Sequence, residues 1–549
     1  MISGCLAKLQ QAEAEWAAVM HPSVLVLVVL LAGGAVAALW APWLLRSYGR
    51  TVTRYMSFRQ VASPPQAWWQ RRTRLLHRPE AASATREPGG GTLADAMQRR
   101  ESRIRRATAL AFAVFVVIGA AVFMLHERVS ALDYANMLFP LIVLAAGPAV
   151  VNVMPAGSAR RLLGISAALL LVSAAIEGAV GASEWSDAVV GALFVLALQV
   201  VCLHRLLRAL FVPLTVLAGA AAFGIVAATA ALLPVGCISD PAHLAGADAW
   251  LGIGSVAGAV FAFGLCLWGG VQLLSGLARL YERGFISDLS LVSGSGVLIV
   301  AGLIAFSADK PGTTPTVLGL VWLAWCSATL ATYIVVLRMG PSPAMSKSLL
   351  VLRVFSKGSK AEQLLDVVQT RWRYAGPVLQ IGGPDLAQLN IDPYELVKFV
   401  SFKTHELFLP GEVSGEQLQD GLDLAPDREG RFRVNDVFCF DTAWRSTVES
   451  LMDMSDAILL DLRGFQAKRA GTAYEITRLA AHGRLRRVVA IGDKLTDWAH
   501  VDTLLDAAGQ RDGPREMRLH ADAADLARLC IASLCAVALQ SEPARSGLR

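Results

Sequence analysis

Long windows without charged side chains constrain this sequence most, because a chain that carries them cannot fold as one water-soluble domain. The 549 residues are 54% hydrophobic and 17% charged. A helix of about 20 apolar residues crosses a bilayer. The candidate spans are 23–45, 107–125, 136–154, 162–181, 188–204, 209–233, 249–277, 290–307 and 316–338. We therefore expect a polytopic membrane domain over 23–338, preceded by a short N-terminal segment, 1–22.

The charges between these windows alternate along the chain, and the alternation predicts an orientation. The loops with arginine clusters are 46–106, 155–161, 205–208 and 278–289. The loops dominated by acidic residues are 126–135, 182–187 and 234–248. Positive loops stay on the cytoplasmic side, so the N-terminus is expected outside and the C-terminal domain in the cytoplasm. The expected location is a bacterial inner (plasma) membrane, and the polar N-terminal segment does not predict a cleavable signal peptide.

The net charge of +6 comes mainly from one segment. Residues 46–106 contain 14 arginines against four acidic residues. Because the excess lies in one cytoplasmic loop, it indicates an orientation-setting segment that faces lipid headgroups. The lipid bilayer is therefore an expected partner, and a nucleic-acid-binding face is not predicted.

Neither a metal centre nor a transport pathway is indicated. The eight cysteines form no C-x-x-C pair and no cluster with histidines, so no metal site is expected. Ionisable residues are scarce within the candidate spans, with Glu177 and His204 close to span ends. This scarcity favours a packed membrane anchor over a transporter.

From Lys347 onward the pattern changes to short strands that alternate with amphipathic helices. A linker, 339–346, is expected to precede a cytoplasmic α/β domain, 347–540, and a tail, 541–549. The predicted strands are 349–355, 377–381, 457–461, 487–491 and 517–519. The predicted helices are 359–373, 392–408, 442–454, 472–482, 497–508 and 523–539. This alternation predicts a parallel sheet in a three-layer sandwich, with the aperiodic stretch 410–436 as a loop.

The stretch Ser455–Arg478 carries the strongest indication of chemistry. Its apolar strand ends in Asp461, and Arg463 follows at once. The sequence Gly471-Thr472-Ala473-Tyr474-Glu475 then opens a helix. Nucleotides commonly bind where parallel strands end and helices begin, so this stretch predicts a nucleotide site.

The acidic strand end and the Gly471–Glu475 helix opening are similar to those of nucleoside 2-deoxyribosyltransferases and of bacterial Toll/interleukin-1 receptor-like (TIR-like) domains. The resemblance implies a flavodoxin-like fold in which a helix-borne glutamate acts on the N-glycosidic bond of NAD or a nucleoside. It also implies assembly as a homo-oligomer, and it requires no cofactor besides the nucleotide itself. The candidate catalytic residues are then Glu475 and Asp461. The candidate substrate-binding residues are Arg353, Arg463, Tyr474, Trp444 and Arg445.

The chemistry of the reaction gives these residue types their roles. Breaking an N-glycosidic bond builds positive charge on the ribose, so a carboxylate such as Glu475 stabilises or attacks the developing cation. Tyr474 or Trp444 can stack on a base. Arg353 and Arg463, at two strand ends, suit a phosphate or a ribose hydroxyl.

Structural explanations of the same residues stay open. Thr472 and Glu475 have the spacing of a capping box, in which each side chain bonds a backbone N–H of the helix start. Asp461 can cap a loop, and Arg463 can simply pair with it. The tract 432–445 can serve as a lid or as packing for the loop before it. The alternative function is a non-catalytic membrane sensor or scaffold whose α/β domain binds a nucleotide or a protein partner.

Overall fold

The chain was analysed as a computed structural model. It describes residues 43–56, 92–126, 247–282, 315–338, 346–354, 359–382, 404–409, 415–440, 442–508, 518–520 and 525–540. Within these ranges, residues 45 and 428 are not described. A few separate positions between 164 and 294 and between 395 and 399 are also described.

Within the part of the chain that the structure describes, three helices are long and apolar enough to cross a membrane. They are α1 (Leu93–His126), α2 (Ala247–Glu282) and α3 (Pro315–Arg338). They contain the predicted spans 107–125, 249–277 and 316–338. The other six predicted spans lie wholly or mostly outside the described residues.

Helix α1 extends well beyond its predicted span, which corrects the prediction that all of 46–106 is a loop. The Thr92 backbone N–H and hydroxyl both donate to the Asp95 carboxylate at 2.9 Å. The Asp95 N–H donates back to the Thr92 hydroxyl at 3.2 Å. This capping box starts the helix inside the arginine-rich segment. Residues 46–56 of the same segment are helical as well.

Helices α1 and α3 pack against each other, and an aromatic pair lies in their contact. The Trp325 ring stacks on Phe115 at 4.7 Å between centroids, and its indole N–H donates to the Phe115 carbonyl at 3.0 Å. A Cβ at Gly119 would lie 2.7 Å from the Trp325 ring, so glycine permits this approach.

The described residues after α3 contain a six-stranded sheet in which every pairing is parallel. The strands are β1 (Leu349–Arg353), β2 (Val378–Ile381), β3 (Val434–Val437), β4 (Ala457–Asp461), β5 (Val488–Gly492) and β6 (Arg518–His520). Their order is β3-β2-β1-β4-β5-β6. The predicted parallel α/β architecture is therefore confirmed.

The two faces of the sheet are covered by different helices. The helices are α4 (Ser359–Trp372), α5 (Gly415–Gly421), α6 (Trp444–Met454), α7 (Ala470–Ala481), α8 (Trp498–Ala507) and α9 (Leu526–Gln540). One face packs on α4, α9 and the first turns of α1, through residues such as Leu459 and Ile104. The opposite face packs on α6, α7 and α8, through residues such as Leu460 and Leu479. The N-terminal half of α1 is thus part of the α/β core.

The stretch 410–436 is not the plain loop that its composition predicts. It contains α5 and most of β3, which pairs with β2 at the edge of the sheet. Strand β3 was missed because it has four residues and its centre, Asn435-Asp436, is polar. Without β3 the strand order is the flavodoxin-like one implied by the resemblance, and β3 extends it to the order of dinucleotide-binding folds.

Gly376 holds the turn that leads from α4 into β2. A Cβ at this position would lie 1.9 Å from the Lys347 carbonyl oxygen, next to the start of β1. We expect Gly376→Ala to lower the free energy of unfolding by about 1–3 kcal/mol or more, because backbone must move. Gly471→Ala is the matched control, since no atom lies within 4 Å of a Cβ there. Thermal unfolding of both variants checks the difference.

Candidate functional site

The strand order reverses between β1 and β4, which creates the crevice where open α/β sheets bind ligands. Arg353 is the register partner of Asp461 at the carboxyl ends of these two strands. The Val354 N–H donates to the Asp461 carbonyl at 3.0 Å, so the pairing continues to the edge. The switch point therefore brings together three of the predicted residues, Arg353, Asp461 and Arg463.

Asp461 and Arg463 form a buried, two-pronged ion pair. Arg463 Nε donates to Asp461 Oδ1 at 2.7 Å, and Nη2 donates to Oδ2 at 2.6 Å. The geometry is the parallel fork that makes arginine–carboxylate pairs strong and specific. The pairing that the sequence left open is therefore present, and it fixes both side chains at the carboxyl end of β4.

This ion pair lies on the α9 face of the sheet. Strand residues alternate between faces, and Asp461 follows Ala457 and Leu459, which pack toward α4 and α9. Burial raises the pKa of the α9 thiol Cys530 to about 12, with a further increase from the Asp461 carboxylate and a decrease from Arg463. The charged pair therefore acts on a residue of α9.

Glu475 lies in α7, on the opposite face. The helix starts at Ala470, and the side chain of its N-cap residue Arg469 makes no capping hydrogen bond. Thr472 is the third residue of the helix and is buried. The capping box predicted for Thr472 and Glu475 is therefore wrong, because the helix starts two residues earlier than its composition indicates. Helix capping therefore does not explain why a glutamate stands at position 475.

The Glu475 carboxyl is an isolated polar group at the edge of an apolar layer. Its Oε2 is inaccessible to solvent and has no hydrogen-bond partner among the described residues, although the residue as a whole keeps partial exposure. Burial raises the pKa of Glu475 from 4.5 to about 8. The side chain is therefore mostly protonated at neutral pH, as a proton donor needs to be.

The predicted aromatic residues meet between α6 and α7. The rings of Trp444 and Tyr474 pack edge to face at 5.3 Å. Arg445 lies over the Tyr474 ring at 5.1 Å, and Arg478 lies over the same ring at 5.4 Å. The Tyr474 hydroxyl donates to Glu449, which also pairs with Arg478 at 2.6 Å. The Tyr474 ring is thus already in contact with two guanidinium groups.

The predicted site residues therefore form three groups. Arg353, Asp461 and Arg463 gather at the switch point, whereas Trp444, Tyr474 and Arg445 gather between α6 and α7. Glu475 follows Tyr474 in sequence and lies on the same side of the sheet. The sequence alone could have assigned Asp461 to a face of the sheet, because Asp461 lies two residues from Leu459 and strand residues alternate between faces. The helix that follows β4 can cover only one of the two faces.

Sequence reasoning missed a buried charged junction between the membrane helices and the sheet edge. Arg433 pairs with Asp423 at 3.2 Å, and both side chains are almost fully buried. The same guanidinium donates to the Tyr281 carbonyl and lies 3.9 Å from the Tyr281 ring centroid, near the end of α2. Asn435 of β3 accepts from the Asp423 N–H at 2.7 Å. A cavity of about 70 Å³ adjoins these residues.

A tight turn beside this junction carries two more buried carboxyls. Asp427 accepts from the N–H groups of Glu429 and Arg431 at 3.0 and 2.9 Å, and Gly430 supplies the required positive φ of 81°. The Ser287 hydroxyl donates to Glu429 at 2.6 Å. Burial, together with the Asp427 carboxylate, raises the pKa of Glu429 to about 7, while Arg431 opposes the increase.

The raised pKa of Glu429 predicts a pH-dependent junction. Below pH 4.5 the carboxyl is neutral in both the folded and the unfolded chain. Between pH 4.5 and about 7 it is mostly ionised in the unfolded chain but mostly neutral in the folded chain. The turn is therefore expected to lose stability as pH rises from 4.5 to 7. The protection factors of residues 427–433, which are the intrinsic hydrogen-exchange rates at each pH divided by the observed rates, should fall over this window in the wild type and much less in Glu429→Gln. Equal pH responses would contradict the assignment.

Within the described residues, no group of three or more His, Cys, Asp or Glu side chains is placed to hold a metal ion. No family model matches this sequence, and neither a curated protein nor a solved structure matches it. The resemblance to deoxyribosyltransferase-like and TIR-like domains thus stays a prediction carried by the residues themselves.

Proposed function

We propose that this is a membrane-anchored protein whose cytoplasmic α/β domain binds a nucleotide and cleaves an N-glycosidic bond with Glu475. The observation that carries the proposal is the buried Glu475 oxygen without a hydrogen-bond partner in a helix whose start it does not cap. A buried polar group of this kind costs stability. Groups kept at such a cost are common at functional sites.

The protonation state of Glu475 favours one substrate class over the other. When the C1′–N bond of a nucleoside breaks, the bonding electrons go to the base, which must gain a proton, and water adds to C1′ and loses one. A carboxyl with a pKa of about 8 can supply the proton to the base. Nicotinamide leaves NAD as a neutral molecule without a proton. We therefore rank a nucleoside before NAD as the substrate.

Gly471 supports an approach of a ligand to the start of α7. Its φ is not in the left-handed region, and among the described residues no atom beyond the adjacent backbone lies within 4 Å of a Cβ built on it. The fold therefore does not require glycine here. Open space at this helix start is compatible with a ligand that contacts the backbone closely, as glycines in nucleotide-binding turns permit.

The contacts of the three described apolar helices support nine spans with the N-terminus outside. Arg100 of α1 donates to the Tyr374 carbonyl at 2.6 Å, and Tyr281 of α2 contacts Arg433. The start of α1 and the end of α2 thus lie at the α/β domain. An even number of crossings must then separate them, and four are predicted. The same reasoning requires an odd number between α2 and α3, and one is predicted.

A second function, that of a membrane-coupled sensor, is favoured by the Arg433 junction. This side chain joins the end of α2 to the edge strand β3 through a buried ion pair and a cation–π contact. A displacement of α2 would therefore act on the sheet directly. In this case the domain would bind a nucleotide or a protein partner without turnover.

Equilibrium binding of nucleotides to the full-length protein tests the shared part of both proposals. We expect binding of a nucleoside monophosphate or NAD by the wild type, and binding weakened about tenfold or more in Arg353→Gln. Arg486→Gln is the control, since Arg486 is exposed on the same domain. Unchanged affinity in Arg353→Gln would place the ligand elsewhere, and binding without turnover would favour the sensor.

A further inference from the structure

Two helical segments at the junction of the membrane and α/β parts each carry a stripe of arginines. In 46–56 the stripe consists of Arg46, Arg50 and Arg54, at a spacing of four residues, and all three are exposed. In α1 it consists of Arg99, Arg103 and Arg106, of which Arg99 and Arg106 are exposed and Arg103 is half-buried. Spacings of three and four place each set on one face of its helix.

The opposite side of the 46–56 helix is fixed to the cytoplasmic domain. Tyr48 and Val52 are fully buried. The Tyr48 hydroxyl donates to Glu395 at 2.9 Å, and its ring packs edge to face on Phe399. Tyr55 contacts Phe408. Because these residues face the domain, the arginine stripe faces away from it.

The same division holds in α1. Leu93, Met97 and Ile104 are buried in the sheet core, and the Met97 sulfur lies 3.8 Å from the Cys535 sulfur of α9. Of the arginines outside this stripe, Arg100 is buried and donates to the Tyr374 carbonyl, and Arg105 pairs with Glu101 one turn earlier in the helix. The three stripe arginines lie on a different face from the buried set.

The position of the α1 stripe matches the depth of lipid headgroups. Charge is absent from Ala107 to Leu125, so the hydrocarbon layer begins next to Arg106. Arg103 and Arg99 follow at about 5 and 10 Å along the helix axis. The headgroup layer on each side of a bilayer is about 5–7 Å deep. Arg106 and Arg103 therefore fall at headgroup depth, and Arg99 extends from just below it.

We propose that the two arginine stripes form a binding surface for anionic phospholipid headgroups of the cytoplasmic leaflet. Guanidinium groups form two parallel hydrogen bonds with a phosphate, and their long side chains reach headgroups from a helix end. The surface holds the docked helices, and with them the α/β domain, against the bilayer. This inference does not depend on the proposed nucleotide chemistry.

Lipid enrichment around the full-length protein tests the surface. The protein is first reconstituted in nanodiscs of phosphatidylcholine with a minor fraction of phosphatidylglycerol. It is then extracted into detergent and purified, and the lipids that it retains are counted by mass spectrometry. We expect enrichment of phosphatidylglycerol in the wild type. Two triple variants remove one stripe each: R99Q with R103Q and R106Q, and R46Q with R50Q and R54Q. Each triple variant should reduce the enrichment about fivefold or more, because an arginine near a charged surface contributes roughly 1 kcal/mol.

Two controls separate this surface from a general effect of charge. The combined R469Q, R486Q and R528Q substitutions remove three exposed arginines of the α/β domain and should leave the enrichment unchanged. Lysine at the six stripe positions should retain most of it. Enrichment in the wild type should also fall at high salt, because exposed charges are screened. Enrichment that survives both glutamine sets, or that ignores salt, would overturn the proposal.

Discussion

Glu475→Gln is expected to stabilise the protein at pH 8 by roughly 3–5 kcal/mol, and to have little effect at pH 5. The pKa of Glu475 is about 8 in the fold and 4.5 in the unfolded chain. Between these values the folded chain holds one more proton, so the stability of the wild type falls as pH rises. Glutamine has the shape of the neutral acid and does not titrate, so the variant loses this slope. Thermal or denaturant unfolding of the full-length protein at several pH values measures it.

Asp506→Asn serves as the control, because Asp506 is an exposed carboxylate on the neighbouring helix α8. It should shift stability by at most about 0.5 kcal/mol at any pH. A variant that gains stability while it loses activity would place Glu475 among residues kept for function at a cost to the fold. A destabilised Glu475→Gln, or one with the pH slope of the wild type, would contradict the isolated position of the carboxyl.

Arg433→Met is expected to lower the free energy of unfolding by roughly 3–5 kcal/mol, since it leaves the buried Asp423 carboxylate without its ion-pair partner. It also removes the hydrogen bond and cation–π contact to Tyr281 at the end of α2. The double variant Arg433→Met with Asp423→Asn should recover part of the loss, because asparagine carries no charge. Denaturant unfolding of the wild type, the two single variants and the double variant gives the coupling energy between the two sites.

Arg484→Met gives the matched comparison. Arg484 pairs with Asp453 at 3.0 Å, but half of the Asp453 side chain is exposed. Pairs of this kind contribute about 0–1 kcal/mol. If Arg433→Met costs no more than Arg484→Met, the junction between α2 and β3 does not couple the membrane helices to the sheet in the way proposed.

Much of the α/β fold was predictable because its strands are short apolar runs with clear ends. The predicted strand 457–461 coincides with β4, and the predicted helix 359–373 differs from α4 by one residue. Apolar windows likewise identified the three described long helices. In each case the pattern or length of an apolar run indicates the element, and such a run can be read directly from the sequence.

The elements that were missed depend on tertiary contacts between polar groups. Strand β3 is polar at its centre and is fixed by the edge of β2 and by the hydrogen bonds of Asn435. The N-terminal half of α1 is rich in arginine, which predicts a loop, yet Leu93 and Met97 bury one side of it in the sheet core. The Arg433 junction joins residues far apart in the chain, and no local pattern announces such a pair.

Release of the free base by the full-length protein, measured by chromatography with deoxynucleosides and with NAD, tests the central proposal most directly. The wild type should release base, faster from a nucleoside than from NAD. Glu475→Gln should be slower by about 100-fold or more, as expected when a proton donor is removed. Equal rates for the two proteins, or no base released by a wild type that binds nucleotide, would contradict a catalytic role for Glu475.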